Sequence, residues 1–217
     1  MLLLYSGPLS MFGAKAQIAA REKGVEHRVE MVPFSLRDFY SPKHPEVARI
    51  NPKAQVPVLV DGDLEIFDST QIFEYLETIA PEPALWPADP QARARARLWE
   101  LKSDEVFFAQ AIILMGHVMN PGHPDAQAAI AAMQDYYDTL NRHLEGRDYI
   151  GAGYSYADIA FYMAQFFAAF LGAPTGPAHS AINDWRARVG ARDAVRAVIE
   201  PMQAVLAENG LTVPDAA

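Results

Sequence analysis

The stretch Asn51-Pro-Lys-Ala-Gln-Val-Pro-Val-Leu-Val-Asp-Gly62, with a helix opening soon after at Asp68-Ser69-Thr70, decides how this chain is read. Pro57 has no N–H to give a sheet, so it belongs at the first residue of a strand, where it turns the chain. Its bond to Val56 is of the one type for which the cis form is accessible, at about 0.5–1 kcal/mol. A cis turn would direct the amide and carbonyl of Val56 outward, where another backbone could pair with them as an added strand does. The helix opening at Asp68-Ser69 offers unpaired N–H groups to an anion. Together these are the parts needed to hold a short peptide by its main chain.

Working outward, Val58–Val60 and Leu64–Phe67 flank Asp61-Gly62-Asp63 as a hairpin. Ser69–Ile79 reads as a helix with Ile72, Phe73, Leu76 and Ile79 on one side. Upstream, Leu2–Tyr5 suits a buried strand closed by Gly7-Pro8. A helix follows from Phe12 to Lys23, with Ala16, Ile18 and Ala19 inward, Lys15, Arg21, Glu22 and Lys23 off that face, and Gly24 as its stop. His27–Val32 alternates as a second strand, and Ser35–Arg49 is irregular, with room for a turn or two of helix. Strand, helix, strand, crossover, hairpin and helix make a thioredoxin-like domain over residues 1–79, a mixed four-stranded sheet with helices packed on it. Pro81, Pro83, Pro87 and Pro90 mark residues 80–90 as a linker. Beyond it, 91–217 reads as an all-α bundle, with helices at about 91–118, 126–145, 155–171, 180–189 and 191–208.

Composition narrows the chemistry. A chain of 217 residues with 51% hydrophobic and 21% charged residues is an ordinary globular one. A net charge of -9 disfavours nucleic acid. With no cysteine, the chain has no disulfide, thiolate metal site or thiol nucleophile of its own, so any thiol chemistry must use a borrowed sulfur. The N-terminal Met-Leu-Leu-Leu-Tyr lacks a basic region and breaks at Ser6-Gly7-Pro8, so no signal peptide is read and the cytoplasm is expected. Ile159–Ala173 is too short to cross a bilayer, and no membrane partner is expected. The histidines lack HExxH-type spacing, Gly151-Ala-Gly153 is no dinucleotide fingerprint, and there is no Gly-x-Ser-x-Gly elbow. No metal is expected.

The arrangement resembles the cytosolic glutathione S-transferases, from residue 1 to about 200. The likeness rests on Leu9-Ser-Met-Phe-Gly-Ala-Lys15, the Asn-Pro-x-x-x-Val-Pro-Val-Leu block, Asp68-Ser69 and the helix-capping run Asp148–Ile159, all in family order. It implies that the γ-glutamyl end of glutathione sits on Ser69 with Asp68 at its ammonium, and that the cysteinyl part pairs with Val56 beside Pro57. The glycyl carboxylate would meet Lys43 and Gln55, with His44 and Lys53 nearby. Asp68 also reads as a plain N-cap boxed with Gln71, and Lys43 as a solvated lysine.

The implied chemistry needs a thiolate. A thiol pKa near 8.5 lowered by two units takes about 2.7 kcal/mol. One hydrogen bond to the anion, at about 1.5–3 kcal/mol, and a helix N-terminus, at about 0.3–1 kcal/mol, could supply it. By resemblance to the serine-type, theta- and zeta-like classes, Ser10 is the expected donor. It reads equally as the N-cap of the helix that follows. Tyr5 is the rival, as in the tyrosine classes, or else a buried core tyrosine. Leu9 and Phe12 with Phe108, Ile112 and Met115 are the candidate walls of an apolar electrophile site, although such a stripe also reads as bundle core. Ser155-x-x-Asp158 is assigned to folding.

The resemblance therefore implies a cytoplasmic homodimer conjugating glutathione to hydrophobic small molecules. A glutathione-dependent dehalogenase or ether-cleaving enzyme, and a non-catalytic ligand-binding stress protein of the same fold, stand as alternatives.

Overall fold

The computed structural model describes residues 1–214. In chain order the elements are β1 (Leu2–Ser6), α1 (Met11–Glu22), β2 (His27–Met31), α2 (Pro45–Ile50), β3 (Val58–Asp61), β4 (Leu64–Phe67) and α3 (Ser69–Ile79). Then follow α4 (Pro90–Lys102), a π-helical turn at Ser103–Phe107, α5 (Phe108–Gly116), α6 (Pro124–Leu144), α7 (Tyr156–Phe170), α8 (Ser180–Gly190) and α9 (Asp193–Glu208). They form two compact units: Met1–Ala84 with Asp193–Gly210, and Leu85–Arg192 with the segment from Leu211.

The first unit is built on a sheet in the order β2-β1-β3-β4, with β1 and β2 parallel and the other pairs antiparallel. Successive residues of β1 point to opposite faces. Tyr5 packs with Val32, Val58 and Val47 of α2. On the other face the Ser6 hydroxyl accepts from the Gln17 side-chain amide of α1 at 2.8 Å. The mixed four-stranded sheet with helices is the one expected, and its spans fall within a residue or two of those read from the pattern.

Two lysines expected off the apolar face of the first helix, one within α1 and one at its C-cap, are not exposed. Lys15 and Lys23 are buried, at 0% and 4% exposure. The Lys23 ammonium donates to Glu77 of α3 at 2.7 Å and to the Pro83 carbonyl at 2.6 Å. A buried charge is tolerated when it is paired and hydrogen-bonded in this way. The expected linker is corrected at Leu85 and Trp86, which are both buried. Trp86 meets Tyr156 edge to face at 5.9 Å, and the Leu85 carbonyl accepts from the Tyr156 amide at 3.0 Å.

The helix expected at 191–208 forms, but it belongs with the first unit, against α1, rather than with the bundle. Its buried face is Val195, Val198, Ile199, Met202 and Leu206, an i, i+3, i+4 pattern that does not say which layer it covers.

The second unit is helical throughout. Its centre is α7, whose residues Tyr156 to Ala169 are all buried. Ser155 and Asp158 form the expected capping box at its start. The single helix expected over 91–118 is instead α4 and α5 joined by the π-helical turn, which inserts extra backbone and shifts the register of every side chain after it.

Candidate functional site

Strand register gathers the candidate residues of the first unit. Val58, at the start of β3, pairs with Tyr5 near the end of β1 and with Phe67 at the end of β4. Ser6 pairs in parallel with Met31 at the end of β2. Four connections therefore leave the sheet at one end: the turn carrying Ser10, the loop carrying Tyr40 and Lys43, the approach to Pro57, and Asp68-Ser69.

Ser10 has extended backbone (φ -121°, ψ 111°) and caps α1: its hydroxyl oxygen accepts the Gly13 amide at 3.1 Å. A hydroxyl carries one donor and two lone pairs, so accepting this bond leaves its proton to give elsewhere. The first turn of α1 holds no acidic side chain, so no carboxylate there offsets the positive end of the helix dipole. Glycine at position 13 leaves the room these side chains occupy, because a Cβ there would lie within 3.0 Å of the Ser6 hydroxyl and against that of Ser10.

Tyr5 is buried in the cluster with Val32, Val47 and Val58, its ring 5.1 Å from that of His44. Burial, then the Glu30 and Glu46 carboxylates, push its phenol above the ordinary tyrosine range. His44 also directs Nε2 toward Glu30 at 3.5 Å, and its Nδ1 is buried without a partner.

The Val56–Pro57 bond is cis. Val56 lies outside the β1–β3 ladder, which runs from Tyr5–Val58 to Leu3–Val60. The loop before it is braced by Asn51, a buried residue to which no sequence pattern assigns a role. Its side-chain amide donates to the Gln55 carbonyl at 2.6 Å, and its oxygen accepts the Lys53 amide at 3.0 Å. Lys43, Lys53 and Gln55 are exposed.

Asp68 has φ 77°, the left-handed region that a non-glycine residue adopts at a cost. Its carboxylate accepts the amides of Thr70 at 3.0 Å and Gln71 at 3.2 Å, so it is the N-cap of α3. Ser69, the first helical residue, is buried.

The turn before Ser10 is overlaid by a residue no sequence pattern marked. The Tyr40 hydroxyl accepts the Leu9 amide at 3.2 Å, and its ring lies so close to Gly7 that a Cβ there would fall within 3.0 Å of it. Burial pushes the Tyr40 phenol up to about 12, partly offset by the Leu9 amide.

Leu9 is buried and Phe12 half-buried, with the Lys15 ammonium 5.6 Å from the Phe12 ring. On α5 the expected stripe divides. Phe108 is bundle core, edge to face with Phe167 at 5.9 Å, whereas Ile112 and Met115 are exposed.

The structure also brings together His117, His123 and Asp125, with ligand atoms within 4.8 Å of one another. The two imidazoles lie face to face, 4.1 Å apart at 12°. Their nitrogen lone pairs therefore run in parallel planes instead of converging, and we propose no metal there. Among the described residues no helix is long and apolar enough to cross a membrane.

Residues 4–84 match the family model of the glutathione S-transferase N-terminal domain, and residues 104–193 that of the C-terminal domain. A maleylacetoacetate isomerase of Rattus norvegicus is 31% identical over 160 residues, 72% of this chain and 73% of the relative. A stringent starvation protein A homolog of Coxiella burnetii is 37% identical over 108 residues, 50% of this chain. The chain spans about half the length of that relative, 49%. Among solved structures, a theta class glutathione S-transferase from Xanthomonas axonopodis pv. citri with glutathione bound superposes with a TM-score of 0.76 at 25% identity, covering 90% of this chain and 95% of that one.

Proposed function

Since the chain belongs to the glutathione S-transferase family, we propose that it binds glutathione at the gathered end of the sheet, ionises the thiol beside Ser10, and transfers the sulfur to a hydrophobic electrophile. The observation that carries this reading is the state of Ser10. Its oxygen accepts the Gly13 amide, which leaves its proton to be donated elsewhere, and it stands at a helix N-terminus that favours an anion. The thiol proton leaves to solvent, the Ser10 hydroxyl, keeping its own proton, donates a hydrogen bond that with the α1 dipole stabilises the thiolate, and the thiolate attacks the electrophile.

Ser69 and Asp68 hold the γ-glutamyl end, the main chain of Val56 before Pro57 pairs with the cysteinyl part, and Lys43 and Gln55 meet the glycyl carboxylate. Leu9 and Phe12 serve the electrophile. The protein works as a cytoplasmic homodimer, for which the exposed Leu64 and Phe67 on the edge strand β4 supply apolar surface. The same thiolate would serve an isomerisation of the kind named in the rat relative.

Thiolate absorbance of the glutathione complex, read against pH, tests the assignment. No protein thiol contributes, because the chain has no cysteine. Ser10→Ala should raise the apparent thiol pKa by more than one unit and cut turnover of an aryl chloride, while Tyr5→Phe leaves both near wild type. The reverse pattern would make Tyr5 the donor.

The similarity to a protein named for stringent starvation favours a second reading, a glutathione-binding stress protein without catalysis. It requires binding of glutathione with no thiolate signal at neutral pH.

A further inference from the structure

We propose that Tyr40 is a positioning residue, holding the Gly7–Leu9 turn so that Ser10 presents its hydroxyl correctly, and tying that turn to the segment that carries Lys43. The inference rests on the reading of Ser10 given above and adds a residue to it.

The turn has little to hold it by itself. Pro8 has no N–H, and Gly7 has the loosest backbone of any residue type. Tyr40 supplies what is missing from outside. Its hydroxyl accepts the N–H of Leu9, the residue immediately before Ser10, at 3.2 Å. Its ring lies on the bare backbone of Gly7, in space that any side chain at position 7 would fill. The ring is backed by Phe34, with centroids 4.9 Å apart, so it is packed in place. The phenol stays neutral across the working pH range, since burial pushes it up to about 12, and Oη is therefore a lasting acceptor for the Leu9 amide.

Tyr40 stands three residues before Lys43 in the same connection. The loop proposed to meet the glycyl carboxylate is thus joined by one side chain to the turn proposed to meet the sulfur. Because a hydroxyl donor must be held close to its productive geometry, loosening this turn weakens thiol ionisation more than glutathione binding.

Tyr40→Phe keeps the ring on Gly7 and removes only the acceptor. The thiol pKa in its glutathione complex should rise by roughly half to one unit, the worth of one hydrogen bond. Turnover of an aryl chloride below that pKa should fall about three- to tenfold, with KM for glutathione near wild type. Gly7→Ala, which pushes the ring away, should move the pH profile in the same direction, and melting curves show whether each variant is folded. The sequence of measurements separates the two readings. If the wild-type complex shows no thiolate, or Ser10→Ala keeps it, the Ser10 reading falls and this proposal with it. If Ser10→Ala loses the thiolate while the Tyr40→Phe profile overlays the wild type, the role of Tyr40 alone is overturned.

Discussion

Asp158 accepts the indole N–H of Trp185 at 2.8 Å, joining the start of α7 to the middle of α8 across 27 residues of chain. The same carboxylate takes the amides of Ile150 and Ser155, both at 2.9 Å, and the Ser155 hydroxyl at 3.1 Å. It is fully buried; burial raises its pKa and these four donors pull it back. Asp158→Ala would strand all four donors in the bundle, so we expect a loss of about 3–5 kcal/mol. The check is the urea midpoint of the variant; a loss under about 1 kcal/mol would show that Asp158 does not anchor the bundle.

Gly13→Ala should separate stability from activity. Alanine favours a helix over glycine by about 1 kcal/mol, which offsets part of the crowding. The new methyl nevertheless meets the Ser6 and Ser10 hydroxyls. A folded variant with turnover reduced at least about tenfold is expected, since this corresponds to only ~1.4 kcal/mol of lost transition-state stabilisation. Wild-type kcat/KM in a folded variant would detach the Ser10 geometry from catalysis.

Asn51→Ala removes both braces of the loop before Val56, at about 1 kcal/mol each. Titration calorimetry should find glutathione bound about tenfold or more weakly, with Asn51→Asp intermediate because it keeps the acceptor for Lys53. Equal affinity for all three proteins would mean that the loop is held by other contacts.

Buried tyrosines set an alkaline limit. Burial raises the phenols of Tyr40 and Tyr162 to about 12, above the unfolded value of 10.0. The folded chain then binds more protons than the unfolded one above pH ~10. The stability these groups contribute is complete below that pH and is lost as pH rises toward 12. Denaturant midpoints should fall steadily from pH 10 upward, and the last tyrosinate absorbance should appear together with unfolding. Complete tyrosine ionisation at pH ~10.5 with intact far-ultraviolet dichroism would contradict the assignment.

Much of this molecule was readable in its residues. The sheet followed from Leu2–Tyr5, His27–Val32 and the hairpin around Gly62, because period and turn chemistry are local. The caps at Ser10, Asp68 and Ser155 were equally local. Other features depend on residues far apart in sequence and carry no short-range signal. Tyr40 meets Leu9 only because a loop folds back over a turn. Lys15 and Lys23 break the helical pattern, and the partners that satisfy Lys23 lie on α3 and just beyond it. The π-helical turn at Ser103–Phe107 leaves no mark in hydrophobic spacing, and the i, i+4, i+7 spacing of Phe108, Ile112 and Met115, all on α5 beyond it, does not say which of them the bundle covers.

The return of α9 to α1 makes the first unit discontinuous in the chain. On the ribosome, more than a hundred residues must be synthesised between the strands of that unit and the helix that covers one side of it. The nascent N-terminal segment therefore waits with the apolar surface opposite Val195, Val198 and Met202 still wet. Its completion comes after translation of α8 rather than before.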